Sequence, residues 1–283
     1  MKSVETIQEV RAQIKEWKQQ GLSIGFVPTM GYLHEGHQSL IAKAVSENDR
    51  VVVSIFVNPM QFGPQEDLAT YPRDFAHDTK LCEETGAHLI FHPTPEEMYL
   101  PDFCSFVDMN GLTKGLCGKT RPIHFRGVCT VVTKLFNIVT PDRAYFGEKD
   151  AQQLAVIKQM VSDLNMPLEI IGCPIIREAD GLAKSSRNTY LSKEERSAAL
   201  VLNRSLVAAK ANLEVGERNT AKLKELIRSI LEEEPLARVD YVEVVDAMNL
   251  ESVETIDKSV LVAIAVYIGK TRLIDNFTYN KSH

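Results

Sequence analysis

Two histidines three residues apart, His34 and His37, stand between an apolar run and a helical pattern. The run over 23–27 predicts a strand, and from Gln38 onward apolar residues recur at helical spacing. The histidines are therefore expected at the amino end of a helix, where unpaired backbone N–H groups and the helix dipole attract phosphate. Imidazoles at these positions can donate further hydrogen bonds from one face of the helix. The pattern predicts a turn that handles nucleotides.

The two glycines of this segment, Gly31 and Gly36, would let the backbone approach a ligand closely. Their separation matches a Walker phosphate loop, but His37 and Gln38 stand where Lys and Ser/Thr belong. Two further alternatives remain open, a metal site and a pair of loop histidines without a function. A metal site is disfavoured because zinc proteases place their histidines four residues apart and no nearby third ligand is evident.

A second group of polar residues lies far downstream, over 177–188. It combines a flexible glycine, cations and hydroxyl donors, all of which suit a polyphosphate: Gly181, Lys184, Ser185, Ser186 and Arg187. The alternative is a solvated turn before the next helix. Together, the two groups resemble the H-x-G-H and K-M-S-K-S signatures of the class I aminoacyl-tRNA synthetase and nucleotidylyltransferase superfamily.

Further segments narrow the resemblance within that superfamily. They are Val57-Asn-Pro-Met-Gln-Phe-Gly-Pro64, Glu66-Asp-Leu-Ala-Thr-Tyr-Pro-Arg73, His124-Phe-Arg-Gly-Val128, Tyr145-Phe-Gly-Glu-Lys-Asp-Ala-Gln-Gln-Leu154 and Ser185-Ser-Arg-Asn188. In this order, through most of the chain, they closely resemble the pantothenate synthetase family. The resemblance implies ATP-dependent condensation of (R)-pantoate with β-alanine through a pantoyl-adenylate, giving pantothenate, AMP and pyrophosphate.

The resemblance also implies roles for individual residues. Gln61 and Gln153 would bind pantoate, and Gln61 would also lie close to β-alanine. The catalytic residues would be His37, as the proton donor, His34 and Lys149. ATP would be bound by Met30, Gly31, His34, His37, Gly147, Glu148, Lys149, Asp150, Ile176, Lys184, Ser185, Ser186 and Arg187.

Residue type alone leaves blander roles open for several of these positions. Gln61 could be a polar loop residue, Gln153 a solvated helix position, and Lys149 the partner of Glu148 or Asp150 in an ion pair. Lys119 and Arg126 fall in a possible lid over 110–126, and neither receives a role.

The expected chemistry needs no protein nucleophile, and no nucleophile elbow or Cys/His signature is present. The protein must instead align the substrates and neutralise charge on the phosphates, with Mg²⁺ accompanying ATP and no protein metal site expected. Two rival functions stay open. One is a nucleotidylyltransferase that releases an adenylated product, and the other is a nucleotide-binding module without turnover.

The composition is consistent with an enzyme that acts on small molecules. With 283 residues, 44% of them hydrophobic, the chain can bury the cores of two domains. A net charge of −6 argues against a general nucleic-acid binder. Five cysteines without a C-x-x-C pattern indicate reduced thiols in a cytoplasmic protein. The residues over 1–21 predict an amphipathic helix capped by Ser3 and Gly21, neither a signal peptide nor a membrane span. The family resemblance alone implies a homodimer.

Alternating strand and helix patterns predict a doubly wound parallel sheet of Rossmann-like α/β class over 1–176. Strands are expected at 23–27, 51–57, 88–91, 105–108, 144–146 and 168–176, and helices at 74–85, 127–139 and 151–164. A smaller α+β domain is expected over 177–283, with helices at 193–215 and 220–231 and strands at 239–245, 260–267 and 272–277. A hinge at this boundary would bring the Lys/Ser/Arg loop onto ATP.

Overall fold

The structure is a computed structural model that describes residues 1–64 and 66–280. The chain folds into two compact units. The first consists of Met1–Asn110, Thr120–Glu148 and Gln153–Pro174, and the second of Gly111–Lys119, Lys149–Gln152 and Ile175–His283. Three short segments of the range 1–176, namely 111–119, 149–152 and 175–176, thus belong with the C-terminal residues.

A six-stranded sheet forms the centre of the first unit, in the order β1-β4-β3-β2-β5-β6. Its strands are β1 (Lys2–Val4), β2 (Ile24–Thr29), β3 (Arg50–Ile55), β4 (Leu89–Phe91), β5 (Arg143–Gly147) and β6 (Glu169–Cys173). All of their pairings are parallel. Parallel strands need crossover connections, and helices between the strands provide them. The predicted Rossmann-like α/β class is confirmed.

The helices of this part of the chain are α1 (Ile7–Gln19), α2 (Glu35–Glu47), α3 (Phe75–Thr85), α4 (Pro95–Met98), α6 (His124–Val139) and α7 (Ala151–Asp163). Strands β2 to β4 are buried almost throughout because they lie inside the sheet. One apolar cluster around Val27, Ile41, Val53 and Tyr145 joins the sheet to α2. This core fixes the start of α2 relative to the end of β2.

Two predictions for this region are wrong. Residues 105–108 form no strand, and the Val107 N–H donates instead to the Thr130 hydroxyl at 3.0 Å. The first helix starts later than expected, with Thr6 rather than Ser3 as its N-cap, because β1 pairs with β4 and takes up Ser3. Thr6 and Glu9 form a capping box.

The second unit contains a three-stranded antiparallel sheet of β7 (Ala237–Asp246), β8 (Val260–Ile268) and β9 (Thr271–Tyr279). Its helices are α5 (Leu116–Thr120), α8 (Lys193–Ala198), α9 (Leu200–Glu214) and α10 (Thr220–Glu232). An apolar core that includes Leu202, Leu206, Ile227 and Ile264 lies between the helices and the sheet. The predicted α+β character, helices first and strands afterwards, is confirmed.

The five cysteines are free thiols, as their number and spacing predicted. Burial raises the pKa of Cys82 and Cys129 to about 12 and that of Cys173 to about 11. These three thiols are therefore protonated and unreactive at neutral pH.

Candidate active site

The turn after β2 is held by a buried carboxylate. Asp78 of α3 is only 1% exposed and accepts the backbone N–H groups of Tyr32 at 2.7 Å and Leu33 at 2.6 Å. Gly31 in this turn has φ +84°, and an added Cβ would lie 3.0 Å from Asp78 Oδ2 and from Ile55 Cγ2. Both the left-handed backbone and the limited space therefore require glycine here.

The histidine pair begins α2, as the sequence predicted. His34 is the N-cap residue, and its Nδ1 accepts the Gly36 N–H at 3.1 Å. The His34 N–H donates in turn to Nδ1 of His37 at 3.3 Å, and the ring centroids lie 4.2 Å apart. Because each Nδ1 accepts from a backbone N–H, each neutral ring must carry its proton on Nε2. The start of α2 thus presents two imidazole N–H donors in addition to the positive end of the helix dipole.

Gln61 lies in the turn after β3, with its amide held in one orientation. Asn58, 1% exposed, donates through Nδ2 to Gln61 Oε1 at 3.0 Å, while Gln61 Nε2 lies 3.0 Å from the Met30 sulfur. The Tyr99 hydroxyl donates to Asn58 Oδ1 at 2.8 Å and so fixes which way the Asn58 amide points. Burial raises the pKa of Tyr99, which keeps its hydroxyl a donor.

The backbone of the same turn is fixed by α6. A Cβ on Gly127 would lie 2.4 Å from the Met60 carbonyl oxygen and 2.6 Å from Gln61 Cα, so only glycine permits this approach. The Gln61 carbonyl oxygen lies 3.1 Å from Nδ1 of His124 and accepts from Arg121 at 3.4 Å.

Arg121 is itself anchored by a carboxylate. Its guanidinium donates to both carboxylate oxygens of Glu66 at 2.6 Å. Burial alone would raise the pKa of Glu66, but the hydrogen bonds and charge of Arg121 outweigh burial and lower it. Glu66 therefore stays ionised and holds Arg121 beside the Gln61 carbonyl group.

Sequence reasoning gave no role to Asp78, Asn58, Tyr99 or Gly127. The segments that contain Asn58 and Gly127 carried part of the family resemblance, which was the only indication in the sequence that these two residues contribute to the site. The contacts of Tyr99 and Asp78 come from residues 41 to 46 positions away in the chain, which no local pattern can reveal.

The segment after β5 passes from one unit to the other. Gly147 and Glu148 belong to the first unit, whereas Lys149 and Asp150 belong to the second. The Lys149 ammonium lies 3.2 Å from Asp150, the ion pair that residue type alone left open, and Asn276 donates to the Lys149 carbonyl oxygen at 2.8 Å.

Gln153 lies in the first turn of α7. Its side chain is half-buried and makes no hydrogen bond to the described part of the chain, 1–64 and 66–280. Its placement is compatible both with the predicted ligand contact and with the solvated position that residue type allowed.

Ile176 and Lys184 are joined in the second unit by a narrow loop. The Lys184 N–H donates to the Ile176 carbonyl oxygen at 2.9 Å, and Gly181 at the tip has φ +97°. Arg177 makes a two-pronged ion pair of 2.7 and 2.8 Å with Asp275, whose side chain is 1% exposed. The base of the loop is therefore fixed to β9.

The Ser185 hydroxyl caps the short 3₁₀ helix Ser186–Tyr190 by accepting the Arg187 N–H at 3.3 Å. Ser186 is buried, while Lys184, Ser185 and Arg187 are half-buried. The resulting segment places two hydroxyls and two cations within four consecutive residues.

Glu178 links this segment to α8. It accepts from Asn188 at 3.0 Å and from Arg196 at 2.6 Å. Burial would raise the pKa of Glu178, but its hydrogen bonds to Arg196 and Asn188 lower it instead. The ionised carboxylate thus holds the Lys/Ser/Arg segment in a defined conformation.

Within the first unit, the structure brings Met30 and Gln61 into contact and pairs His34 with His37. Within the second, it gathers Ile176 and Lys184 to Arg187 on one braced loop. Among residues 1–64 and 66–280, no group of three or more His, Cys, Asp or Glu is placed to hold a metal ion. In the same residues, no helix is long and apolar enough to cross a membrane.

A parallel sheet whose second strand leads into a histidine-capped helix defines this chain as an α/β protein of the Rossmann-like class. Comparison with known proteins defines the family. The family model described as pantoate-beta-alanine ligase matches residues 2–278. The chain belongs to the pantoate–β-alanine ligase family and is a ligase.

Curated relatives match over nearly their whole length. Pantothenate synthetase from Ruminiclostridium cellulolyticum is 64% identical over 279 residues, covering 99% of both chains. Pantothenate synthetase from Enterococcus faecalis is 65% identical over 274 residues, covering 97% of both.

Solved structures agree with the sequence relatives. Pantothenate synthetase from Thermus thermophilus superposes with a TM-score of 0.93 at 45% identity, covering 98% of this chain and 99% of its own. Pantoate-beta-alanine ligase from Francisella tularensis, complexed with beta-gamma ATP and β-alanine, superposes with a TM-score of 0.81 at 36% identity. That match covers 98% of this chain and 97% of the other.

Proposed function

We propose that this protein condenses (R)-pantoate with β-alanine at the expense of ATP, releasing pantothenate, AMP and pyrophosphate. The observation that carries the proposal is the pair of Nε2 donors that His34 and His37 present at the start of α2. A full-length relative complexed with an ATP compound and β-alanine supports the same substrates here.

The reaction proceeds through a pantoyl-adenylate. A pantoate carboxylate oxygen attacks the α-phosphorus of ATP, a new O–P bond forms, and the bond to pyrophosphate breaks. The β-alanine amine then attacks the acyl carbon, loses a proton, and displaces AMP as the amide forms. Neither step uses a protein nucleophile, so the protein contributes alignment and charge stabilisation.

His34 and His37 hydrogen-bond the ATP phosphates through Nε2–H, and His37 is the principal proton donor. Their Nδ1 atoms are occupied by backbone N–H groups, so the donors are fixed before ATP arrives. Preorganised donors of this kind stabilise charge that develops on the phosphates without reorganisation during the reaction. Gly31, beside them, binds ATP through its backbone, which lacks a side chain and so can approach the nucleotide closely.

Gln61 and Gln153 orient pantoate, Gln61 also lies next to β-alanine, and Met30 closes the pocket. Pantoate has a carboxylate and two hydroxyls, and amides offer both donors and acceptors without adding charge beside ATP. The hydrogen bond from Asn58 leaves the Gln61 NH₂ group directed toward Met30, where a substrate acceptor can replace the weak sulfur contact.

The remaining ATP contacts come from Gly147, Glu148, Lys149 and Asp150 after β5, and from Ile176, Lys184, Ser185, Ser186 and Arg187. Closure at the hinge before the Lys/Ser/Arg segment brings its cations to the phosphates. Mg²⁺ would accompany ATP and would neutralise charge on the phosphates, and no residue of this chain is assigned to hold it. The family resemblance further supports a cytoplasmic homodimer that binds neither nucleic acid nor membrane.

The test is an assay with ATP, Mg²⁺, pantoate and β-alanine, each omitted in turn. We expect AMP release to require both pantoate and β-alanine. Pantoate labelled with ¹⁸O in its carboxylate should transfer one label to AMP, because the attacking oxygen stays with phosphorus. AMP without label would exclude the adenylate. Accumulation of an adenylated product unaffected by amine would favour a nucleotidylyltransferase, and ATP binding without turnover a binding module.

A further inference from the structure

A second concave surface of the first unit lies between α1 and the carboxyl end of α6. The cavity has a volume of about 580 Å³ and is lined by Arg11, Ile14, Lys15, Lys18, Asn137 and Thr140, among others. We call it the α1–α6 groove. Its volume falls within the range of roughly 300–1,000 Å³ that is usual for small-molecule pockets.

Three cations of α1 line this groove. Arg11, Lys15 and Lys18 are spaced i, i+4 and i+7, which places them on one face of α1. All three are exposed, and none makes an ion pair or a side-chain hydrogen bond with the described residues 1–64 and 66–280. Among the described residues that line the groove, none is Asp or Glu, although the whole chain carries a net charge of −6.

A simpler role for these cations accounts for only part of this arrangement. The negative end of the α6 dipole lies here, and the last turn of α6 contains no basic residue. Thr140, with φ 44°, caps this end by donating its N–H to the Phe136 carbonyl oxygen at 2.7 Å. One cation would complement the dipole, and Lys18 already stands in the last turn of α1. Three like charges on one face repel one another weakly, and an anion that binds all three relieves this repulsion.

We propose that the α1–α6 groove binds a small anion carrying two or more linked phosphate groups. Lys18 follows Arg11 by seven positions, which is about 10 Å along the helix and further than one phosphate can reach. A linked polyphosphate can contact both ends at once. The Asn137 amide and the Thr140 hydroxyl offer neutral hydrogen bonds beside the cations.

This groove is distinct from the proposed catalytic site. Thr140 precedes Asp142, whose carboxylate accepts the N–H of Ile24 at 2.6 Å, at the start of β2. The groove therefore lies at the amino-terminal edge of the parallel sheet, whereas the histidine pair follows the carboxyl end of β2. Asn137, where the groove begins on α6, follows His124 by 13 positions, which is about 20 Å along the helix.

Isothermal titration calorimetry of the intact protein with sodium tripolyphosphate tests the proposal. The variant Arg11→Ala/Lys15→Ala/Lys18→Ala removes the three exposed cations, and Lys193→Ala/Lys210→Ala/Lys270→Ala removes three exposed lysines elsewhere as a charge-matched control. We expect the groove variant to bind one equivalent fewer than wild type, or to bind that equivalent at least roughly tenfold more weakly. The control should bind like wild type.

The difference between the variants decides the outcome, so the test does not depend on whether the catalytic site also takes up tripolyphosphate. A protein that lacks ligase activity but still binds one equivalent of tripolyphosphate in the groove would contradict the proposed function and leave the groove proposal standing. Identical isotherms for wild type and the groove variant would overturn the proposal that the groove binds an anion. An equal loss of tripolyphosphate binding in the control variant would also overturn it. Matching thermal melts establish that each variant is folded.

Trp17 offers a second measurement, since it is the single tryptophan of the chain and adjoins Lys18 on α1. A saturable change in its fluorescence should accompany tripolyphosphate binding in wild type and in the control, and disappear in the groove variant. Because the cations are exposed, raising the salt from about 50 to about 200 mM should weaken this binding by at least roughly threefold. Salt-independent binding would contradict a site made of exposed charges.

Discussion

Asn58 donates a hydrogen bond to the side-chain oxygen of Gln61 at 3.0 Å and thereby settles which end of the Gln61 amide faces Met30. Tyr99 fixes the orientation of the Asn58 amide, because its hydroxyl can donate to Asn58 Oδ1 only if the Asn58 NH₂ group points to Gln61. A residue proposed to bind substrate is thus oriented by two side chains from different parts of the sequence.

The proposed pantoate contacts predict a selective kinetic defect. Gln61→Ala and Gln153→Ala should each raise the pantoate KM and lower kcat/KM, because a substrate polar group loses its buried partner. The expected fall in kcat/KM corresponds to roughly 1–3 kcal/mol of lost transition-state stabilisation. ATP affinity should change little. Steady-state kinetics with pantoate and ATP varied separately measure both effects, with Gln8→Ala at an exposed position as control. A mutant that loses ATP binding but keeps its pantoate KM would remove that residue from the acyl pocket.

Gly127→Ala should damage the same pocket through the backbone. Alanine normally stabilises a helix interior relative to glycine by roughly 0.5–1 kcal/mol. Here the new methyl group would meet the Met60 carbonyl at 2.4 Å, and overpacking typically costs roughly 1–3 kcal/mol. We therefore expect a lower Tm together with a raised pantoate KM.

Gly115→Ala provides the control for this substitution, since a Cβ there meets nothing within 4 Å. Thermal melts and pantoate kinetics of the two variants should differ clearly. If Gly127→Ala were as stable and as active as Gly115→Ala, the turn around Gln61 would not depend on its contact with α6.

Local patterns predicted the elements that bury an apolar face, because periodicity records that face directly. They placed β2, α2, α10 and β8 within a few residues. The single helix predicted over 193–215 is wrong, because the chain forms two helices there, α8 and α9. The apolar residues Phe106 and Val107 predict a strand over 105–108, yet Phe106 is 44% exposed and lies beneath the Arg126 guanidinium, 4.0 Å from the ring centroid. That contact is tertiary and leaves no periodic signal.

The residues of the candidate site also fall into two groups, those that the sequence identifies and those that only the three-dimensional structure identifies. Residue type and spacing predicted the position of His34 and His37 at a helix start, because a helix start is a local feature. Gln61 and Gln153 were selected by family resemblance, and the structure adds the reason that Gln61 is held rigidly. Asp78 accepts hydrogen bonds from backbone N–H groups that are distant in the sequence, and Gly127 leaves room for the distant backbone around Gln61. Neither role can be predicted from the residues next to them in the chain.

Stability should fall on mild acidification because of His88. Burial, followed by the charges of Arg50 and the N-terminus, lowers the pKa of His88 below 6.5, and its Nδ1 accepts the Val51 N–H at 3.1 Å. A histidine with a lowered folded-state pKa stabilises the fold above pH 6.5, and this contribution is lost as the pH falls through the folded-state value.

His88→Gln retains an acceptor for Val51 but does not titrate. Denaturant unfolding at about pH 7.5 and about pH 5.5 should show a smaller loss of unfolding free energy on acidification in this variant than in wild type. His92, whose pKa is also lowered chiefly by burial, provides a second variant, His92→Gln, with the same expected direction. Equal pH dependence in wild type and His88→Gln would exclude His88 as a contributor.

The family resemblance predicts a homodimer with isologous contacts, the commonest oligomeric arrangement. Sedimentation velocity at micromolar concentration should give a species of twice the 31.7 kDa chain mass. A single species at the chain mass would remove this prediction without affecting the proposed chemistry.

His37→Ala should separate binding from chemistry. In the structure His37 has its Nδ1 engaged by the His34 N–H, so its Nε2 proton is fixed at the start of α2, where phosphate is attracted. Losing one preorganised donor to developing charge typically lowers turnover by roughly 10²- to 10³-fold. Pantoate binding should remain nearly normal, since the proposed acyl contacts are Gln61 and Gln153.

Single-turnover measurements of AMP formation, together with pantoate binding by calorimetry, distinguish the two effects. His37→Gln restores a donor at a different reach and is expected to recover part of the rate, whereas the backbone capping that His37 provides to His34 is worth only about 1 kcal/mol of helix stability. A thermal melt therefore accompanies each variant, so that lost activity is not mistaken for lost structure. A folded His37→Ala enzyme within about threefold of wild-type turnover would place this imidazole outside the chemistry, and the two Nε2 donors at the start of α2 would then serve only to bind ATP.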